Sequence, residues 1–460
     1  MKAIGMDIGT TSISAVMMDA GTNAVLHSCT IDNPGFADTP HAWERVQSPQ
    51  RIAEAAKRLL DDMLSCEKDV CVIGLTGQMH GIVYLNAEGE AISPLFTWQD
   101  GRGNLKGLSG KSICEQISAR FGVGAFSGYG LITHLYNLQE GLSPKQAASV
   151  ATIADYFAMV LTGAKGPILH SSNAASLGLY DIRNHTWRED ILRCFGGECA
   201  ILPRTTRSFE TIGSYRGIPV AVAIGDNQAG FLGGVRCADE QVLLNMGTGG
   251  QVSLLSDRVL EAEEIETRPF CEETYLLVGA SLCGGRAYAT LASFMRSCAE
   301  AFGCGKPDVY AIMEEMAEGE RGHSEMVVDT RFEGTRAQPQ RRGSITGIST
   351  ETFTPGGLVR GVMRGMVREL YEDYLTMKSG LGVRRSRIVA SGNGFRKNRP
   401  LGRIAAEMFE MELELSAVEE EAACGACMAG IIAIGEQTWE EVVGFTRGKR
   451  AADIGKGGIQ

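Results

Sequence analysis

Asp226 lies in the run Gly225-Asp226-Asn227-Gln228-Ala229-Gly230, directly after the apolar stretch Pro219–Ile224. An acid at the carboxyl end of a buried strand is well placed to meet a ligand, and its carboxylate could accept a hydroxyl proton as a general base. An Asx turn or a helix N-cap at Asp226 accounts for the same residues. Two other runs hold the inventory for a polyhydroxylated molecule. Thr76-Gly77-Gln78-Met79-His80-Gly81 and Trp98-Gln99-Asp100-Gly101-Arg102 offer an amide, an imidazole, an indole, a carboxylate and a guanidinium. Those groups supply bidentate partners for vicinal hydroxyls and an aromatic face for C–H surface. Taken singly, His80 and Trp98 are better explained as packed residues; the clustering of polar and aromatic groups at loop ends favours a site.

Two Gly-Thr turns could bind phosphate. Asp7-Ile8-Gly9-Thr10-Thr11 opens the chain, and Asn245-Met246-Gly247-Thr248-Gly249-Gly250 repeats the pattern at an offset of 238 residues. Such turns expose successive backbone N–H groups, and the hydroxyls of Thr10, Thr11 and Thr248 stand beside them. Asp7 could hold a hydrated Mg²⁺, which takes a carboxylate, waters and phosphate oxygens. A plain hairpin that needs Gly for positive φ explains either turn alone; the pair could clamp a polyphosphate. A third Gly-rich turn, Ser391-Gly392-Asn393-Gly394, follows the apolar Ile388–Ala390, with Asn398 and Pro400 ahead of a helix from about Leu401. It suits a flat ligand or a phosphate on bare backbone, though it departs from the Walker A and GxGxxG patterns. Cys424-Gly425-Ala426-Cys427 lacks a second ligand pair, so it reads as small residues packing a helix closely rather than a redox or zinc site.

These residues need elements to position them. Ala3–Met6, Ser12–Met18 and Asn23–Thr30 read as an antiparallel meander. Arg51–Leu64 reads as a helix, because Ile52, Ala55, Ala56, Leu59, Leu60 and Met63 fall on one face. Val70–Leu75 and Pro219–Ile224 read as buried strands, Ala147–Leu161 and Leu358–Met377 as helices, and Val242–Leu244 with Gln251–Leu255 as a second hairpin. The offset lays Asp7 on Asn245, Gly9 on Gly247, Thr10 on Thr248 and Asp19 on Asp257, which predicts two lobes of similar plan with a hinge near 236–240. Two unrelated hairpins are the alternative. The stretch Arg331–Arg342 reads as a solvated loop, and the basic tail after Gly444 as a frayed end.

The composition narrows the class. A net charge of −11 argues against general nucleic-acid binding, which needs a basic surface. Hydrophobic residues at 44% and charged ones at 22% argue against whole-chain disorder. No apolar run reaches membrane-span length, so no membrane partner is expected. Thirteen scattered cysteines fit reduced thiols in a cytoplasm. The 58 glycines show no collagen-like period and must serve turns and close backbone approaches.

The ordered set Asp7-Ile8-Gly9-Thr10-Thr11, Gly77–Gly81, Trp98–Arg102, Gly225-Asp226-Asn227, Gly247-Thr248-Gly249 and Gly392-Asn393-Gly394 resembles an FGGY carbohydrate kinase from residue 1 to about 435. The resemblance implies an α/β fold with two lobes of the actin and hexokinase (ribonuclease H-like) type. Each would be a mixed sheet flanked by helices, with ATP and sugar in the cleft. Residues 1–238 would form the lobe of the sugar and phosphate site, and 239–460 that of the nucleotide site. Within the family the resemblance is nearest to sedoheptulokinases, on Thr97–Arg102, Ser127–Gly130, Gly225–Ala229 and Ala280–Gly285, with xylulokinases next. It implies Asp226 as catalytic base and Asp7 at the metal. Gly9, Thr10, Thr11, Gly247, Thr248 and Gly249 would surround Mg-ATP phosphates, and Gly392, Asn393 and Asn398 would lie near the adenosine. Gln78, Met79, His80, Trp98, Asp100, Arg102 and Asn227 would bind sugar. The acid-containing signature of many family members is not found after Gly356-Gly357-Leu358. A small-molecule sugar is the implied partner, a homodimer is allowed, and an ATP-driven switch without sugar chemistry is the distant alternative.

Overall fold

The computed structural model describes residues 1–107, 110–319, 326–336 and 338–446. It divides into two compact units. The first holds residues 1–233, 268–274 and 420–442, and the second holds 234–267, 275–419 and 443–460.

The first unit begins with the meander β1 (Lys2–Ile8), β2 (Ser12–Asp19) and β3 (Val25–Asp32). The third strand starts two residues later than expected. Asn23 takes a left-handed φ of 56° and its N–H closes a turn onto Asp19 O at 2.9 Å, so the chain cannot extend until that turn ends. Helix α1 (Pro49–Cys66) starts where Ser48 accepts a hydrogen bond from Arg51 N and Pro49 occupies the first turn. Its buried face carries Ile52, Ala56, Leu59, Leu60 and Met63. Each large side chain there contributes about 1.5–3 kcal/mol of burial. Strand β4 (Val70–Gly77) runs parallel to β1, pairing Asp7 with Thr76.

The helix expected over Ala147–Leu161 is split. Ser149–Ala151 pairs with Val83–Leu85 as a strand, and the Thr152 side chain accepts from Asp155 N to start α2 (Ile153–Thr162). The short α3 (Ser171–Ser176) follows, then β5 (Thr211–Tyr215), β6 (Ile218–Ala221), β7 (Ile224–Gly225) and α4 (Asp226–Gly234). The single strand expected over Pro219–Ile224 is therefore two strands. Val222 N leaves the ladder to donate to Glu210 O at 2.8 Å, and β7 resumes beside β4 with Ile224 opposite Thr76. The sheet order is β5–β6–β4–β1–β2–β3, with β7 also on β4.

The second sheet consists of β8 (Gln241–Met246), β9 (Gly250–Ser256), β10 (Ile265–Cys271), β11 (Thr274–Ser281), β12 (Arg387–Ser391) and β13 (Glu412–Leu415). Their order is β10–β11–β9–β8–β12–β13. The helices are α5 (Gly284–Ala301), α6 (Val309–Gly319), α7 (Pro355–Leu381), α8 (Gly392–Arg396) and α9 (Arg399–Phe409). Helix α7 outruns the expected Leu358–Met377, because Thr354 caps it from Gly357 N and only the left-handed Gly382 ends it. The core unites Leu244, Val252, Leu277, Met363, Leu370 and Ile388.

Two expectations fail on this frame. Asp7 pairs with Ser14, but Asn245 pairs with Gln251, so the second turn is one residue shorter. Past the turn the counterpart of Asp19 is Ser256, not Asp257. The Arg331–Arg342 stretch is not simply solvated. Arg331 pairs with Asp329, Glu369 and Glu372, Arg341 with Asp329, and Arg336 with Glu266, so carboxylates of the same unit pin the loop down.

Helix α10 (Glu421–Ala433) returns late in the chain to the first unit. It lies so close to β1 and β4 that a Cβ on Gly5 would sit 1.9 Å from Ala423 O, and one on Gly74 1.7 Å from Ala426 O. Cys424 and Cys427 are buried in this contact, and Cys427 Sγ lies 3.4 Å from Val16 O. They are a packing pair. No group of three or more metal-ligating His, Cys, Asp or Glu side chains occurs among the described residues. No helix among them is long and apolar enough to cross a membrane.

Candidate active site

In the first unit, β7 ends in Gly225 and Asp226 is the first residue of α4. Its carboxylate accepts from Asn227 Nδ2 at 2.9 Å, and Arg268 Nη1 donates to Asn227 Oδ1. The guanidinium thereby fixes the Asn227 amide with its NH₂ toward Asp226. Burial pushes the Asp226 carboxyl above the usual range, while the Asn227 amide and the Arg268 charge pull it back. Arg268 is 8% exposed; burial lowers the pKa of its guanidinium, and the neighbouring Tyr129 and Asp226 act against that.

Gln78, Met79 and His80 follow β4. The Met79 thioether packs where a Cβ on Gly225 would be, 2.7 Å from that position. Gln78 Nε2 donates to Gln47 Oε1 at 2.8 Å. His80 holds a φ of 74°, strained for a residue with a Cβ. Its ring stacks on Tyr129 with centroids 4.5 Å apart, and Nδ1 lies 2.8 Å from Ser176 O. A carbonyl only accepts, so Nδ1 carries the proton in that bond.

Trp98 is 47% exposed and donates from Nε1 to Thr10 Oγ1 at 2.9 Å, while that hydroxyl lies 3.4 Å from Gln78 Oε1. The first Gly-Thr turn is thus hydrogen-bonded with Trp98 and Gln78, two of the residues expected to meet the sugar. Asp100 and Arg102 serve the loop itself. Arg102 makes a bidentate pair with Asp100 at 2.7 and 3.1 Å, donates to Asn137 Oδ1 at 2.7 Å, and lies over the Phe96 ring. The Ser127–Gly130 run closes on this loop: Gly128, at φ 87°, leaves no room for a Cβ beside Trp98 O, and Ser127 Oγ donates to Asp100 O.

Asp7 stands at the end of β1. Its Oδ1 is buried and has no hydrogen-bond partner among the described residues. Burial pushes its pKa up to about 7, with the Asp226 and Glu420 carboxylates adding to the shift. A cation is the group this environment lacks, so Asp7 fits a metal-binding role. Gly9 O and Thr11 O are engaged by Asn33, which ties down the turn.

In the second unit a pocket of about 950 Å³ is lined by Gly247, Thr248, Tyr288, Gly392, Asn393 and Asn398, among others. Gly249 lies beneath it, where a Cβ on Gly284 would be 2.5 Å from Gly249 C. Gly392 has a φ of 82° and approaches Met246 O too closely for a side chain. Asn398 Oδ1 caps α9 by accepting from Leu401 N at 3.1 Å. The expected turn at Ser391–Gly394 is the end of β12 followed by the single-turn α8. Tyr288, Tyr310 and Glu314 of this pocket were not among the expected residues. Nor were Arg268 and Tyr129; the only sequence signals were a charged residue inside the strand Ile265–Cys271 and the aromatic in Ser127–Gly130.

Comparison with known proteins gives a consistent result. The N-terminal domain of the FGGY family of carbohydrate kinases matches residues 2–233, and its C-terminal domain matches residues 242–434. The chain is 28% identical to sedoheptulokinase of Mus musculus over 449 residues, covering 86% of this chain and 90% of that protein. It is 26% identical to xylulose kinase of Lactococcus lactis, covering 94% and 88%. The structure of xylulose kinase from Rhodospirillum rubrum superposes with a TM-score of 0.83 at 22% identity, covering 96% of this chain and 92% of that one. With both domain models matched in order along nearly its whole length, the chain belongs to the FGGY family of carbohydrate kinases.

Proposed function

We propose that this protein transfers the γ-phosphoryl group of ATP to a primary hydroxyl of a ketose, with sedoheptulose as the acceptor. The observation that carries the reading is Asp226 at the junction of β7 and α4, its carboxylate held by Asn227 and Arg268. Asp226 orients the acceptor hydroxyl and takes its proton as the oxygen attacks the phosphorus. Arg268 and Asn227 keep the carboxylate aimed and favour its charged form. His80, Trp98 and Gln78 bind the sugar, and Asp100 with Arg102 stiffens the loop that presents Trp98. Thr248, Gly247, Gly392, Asn393 and Asn398 hold the nucleotide, with Gly249 supporting the turn. Phosphoryl transfer asks the protein for position and charge stabilisation more than covalent chemistry. Mg²⁺ at Asp7, with Gly9, Thr10 and Thr11 beside it, would neutralise phosphate charge; a single carboxylate suits an ion that keeps waters and phosphate oxygens as its other ligands. The choice of sedoheptulose rests on the sedoheptulokinase relatives of mouse and human, at 28% and 26% identity. Thirteen free cysteines favour a cytoplasmic location.

Asp226→Asn tests the reading. Asn keeps a hydrogen-bonding oxygen but takes no proton at neutral pH. The loss expected is about 10²–10⁴ in kcat, with KM values little changed. A folded variant retaining more than about a tenth of wild-type kcat excludes the base role at that magnitude. ADP release against sedoheptulose, xylulose, ribulose, gluconate and glycerol tests the acceptor. A kcat/KM for xylulose about tenfold above that for sedoheptulose, roughly 1.4 kcal/mol, would overturn the substrate and leave the kinase.

A further inference from the structure

Helix α3 is a single turn in which Ser171, Ser172, Asn173 and Ser176 are all buried. Polar side chains at that depth cost stability unless they are hydrogen-bonded, so the destinations of their bonds explain their presence. Ser172 Oγ accepts from Gly225 N at 3.0 Å. The same hydroxyl lies 2.8 Å from His170 Nδ1, which also accepts from Ser172 N, so the hydroxyl donates to the ring. Burial lowers the His170 pKa to about 4 and keeps that ring a neutral acceptor. Asn173 Nδ2 donates to Ala223 O at 3.1 Å and to Asp155 Oδ2 at 3.3 Å. Two peptide groups flanking Ile224, just before Asp226, are therefore tied to α3. The opposite edge of β7 is tied to β4, where Thr76 Oγ1 donates to Ile224 O at 2.8 Å. At the other end of α3, Ser176 Oγ accepts from His80 N at 3.2 Å and donates to Asn173 O at 2.7 Å, while Ser176 O receives the His80 ring.

We propose that Ser172, Asn173 and Ser176 are positioning residues. Ser172 and Asn173 set the carboxylate of Asp226, Ser176 sets His80, and one helical turn fixes the separation of the proton acceptor from the sugar-binding imidazole. The inference rests on the reading of Asp226 as base. A displacement of about 1 Å at a reacting group is enough to cost up to 10²-fold in rate. The bonds to Ala223 and Gly225 act on the backbone that carries that group.

The experiment is a double-mutant cycle on the full chain, with Mg-ATP and sedoheptulose. Ser172→Ala and Asn173→Ala should each lower kcat about tenfold, with both KM values within about two-fold. In the Asp226→Asn background the same changes should alter the residual rate by less than about two-fold, because the group they aim has lost its function. Ser176→Ala should instead raise KM for sedoheptulose about fivefold and leave kcat within about two-fold. Calorimetric titration with sedoheptulose should give unchanged stoichiometry, whereas a purely structural role reduces the active fraction. Equal rate losses in both backgrounds overturn the proposal, as does kcat within about two-fold for both Ser172→Ala and Asn173→Ala. If only one alanine variant folds, it runs the cycle; if neither folds, the bonds hold the fold rather than the base and the proposal falls. Full activity in Asp226→Asn itself overturns the base reading instead, so the two failures are separable.

Discussion

In the first hairpin, Asp7 is the penultimate residue of β1; its Oδ1 is buried without a hydrogen bond among the described residues, and its charge is opposed by burial, Asp226 and Glu420. In the second, the matching position at the end of β8 is Asn245, whose amide donates to Ser391 Oγ at 2.8 Å. The hydroxyls differ in the same sense. Thr10 is bonded to Trp98 and lies against Gln78, whereas Thr248 is exposed on the pocket. One supersecondary unit thus presents two different environments. Under the proposed function the charged copy would hold the cation. The neutral copy suits phosphate on backbone amides, where a carboxylate would repel it.

Exchanging the two side chains tests that contrast. Asp7→Asn removes the only ionisable group of the first turn. We expect kcat to fall about 10²–10³-fold and the Mg²⁺ concentration for half-maximal rate to rise. Unchanged Mg²⁺ dependence would remove Asp7 from the metal. Asn245→Asp places a carboxylate at the neutral turn, and KM for ATP should rise about tenfold, with a smaller change in kcat. A KM within about two-fold of wild type would show that charge at this turn is not felt by the nucleotide.

A buried acid away from both turns gives a smaller effect that depends on pH. Burial raises Asp155 to about 7, against hydrogen bonds from Thr152 and Asn173 that favour its ionised form. Between about pH 4 and pH 7 the unfolded chain has released this proton and the folded chain holds it. Its contribution to stability therefore falls as pH rises through that window and is level above it. Asp155→Asn should gain in Tm relative to wild type between pH 4.5 and pH 7.5, read by thermal melts. A difference in Tm that does not move with pH would show Asp155 ionised throughout. The smallest effect is expected for Cys424 and Cys427 together replaced by Ala, which should keep activity within a few-fold. Stoichiometric zinc in the wild type, or activity that follows dithiol oxidation, would contradict their packing role.

Local pattern carried much of this protein into view. The meander, α1 and the second hairpin follow from hydrophobic period and Gly-Thr turns, which depend on neighbours in sequence. The ordered motifs were enough for the family. The position of Asp226 at the end of a buried strand was legible because an acid after an apolar run is a local feature. What stayed hidden involves contacts between distant segments. Arg268 reaches Asn227 from 41 residues away, and α3 grips β7 from 53, through a serine whose sequence setting resembles any small polar turn.

The sequence by itself determined the opening meander, α1 and the second hairpin, which turns present bare backbone, and that Cys424 and Cys427 sit in a helix of small residues. Tertiary structure alone decided that this helix lies on Gly5 and Gly74, that Asp100 and Arg102 spend their charges on each other, and that the Arg331–Arg342 loop is pinned by carboxylates. The physical reason is range. Backbone propensity and capping act within a few residues, whereas burial, ion pairing and the pKa of Asp7 depend on which remote groups the fold brings within a few ångströms.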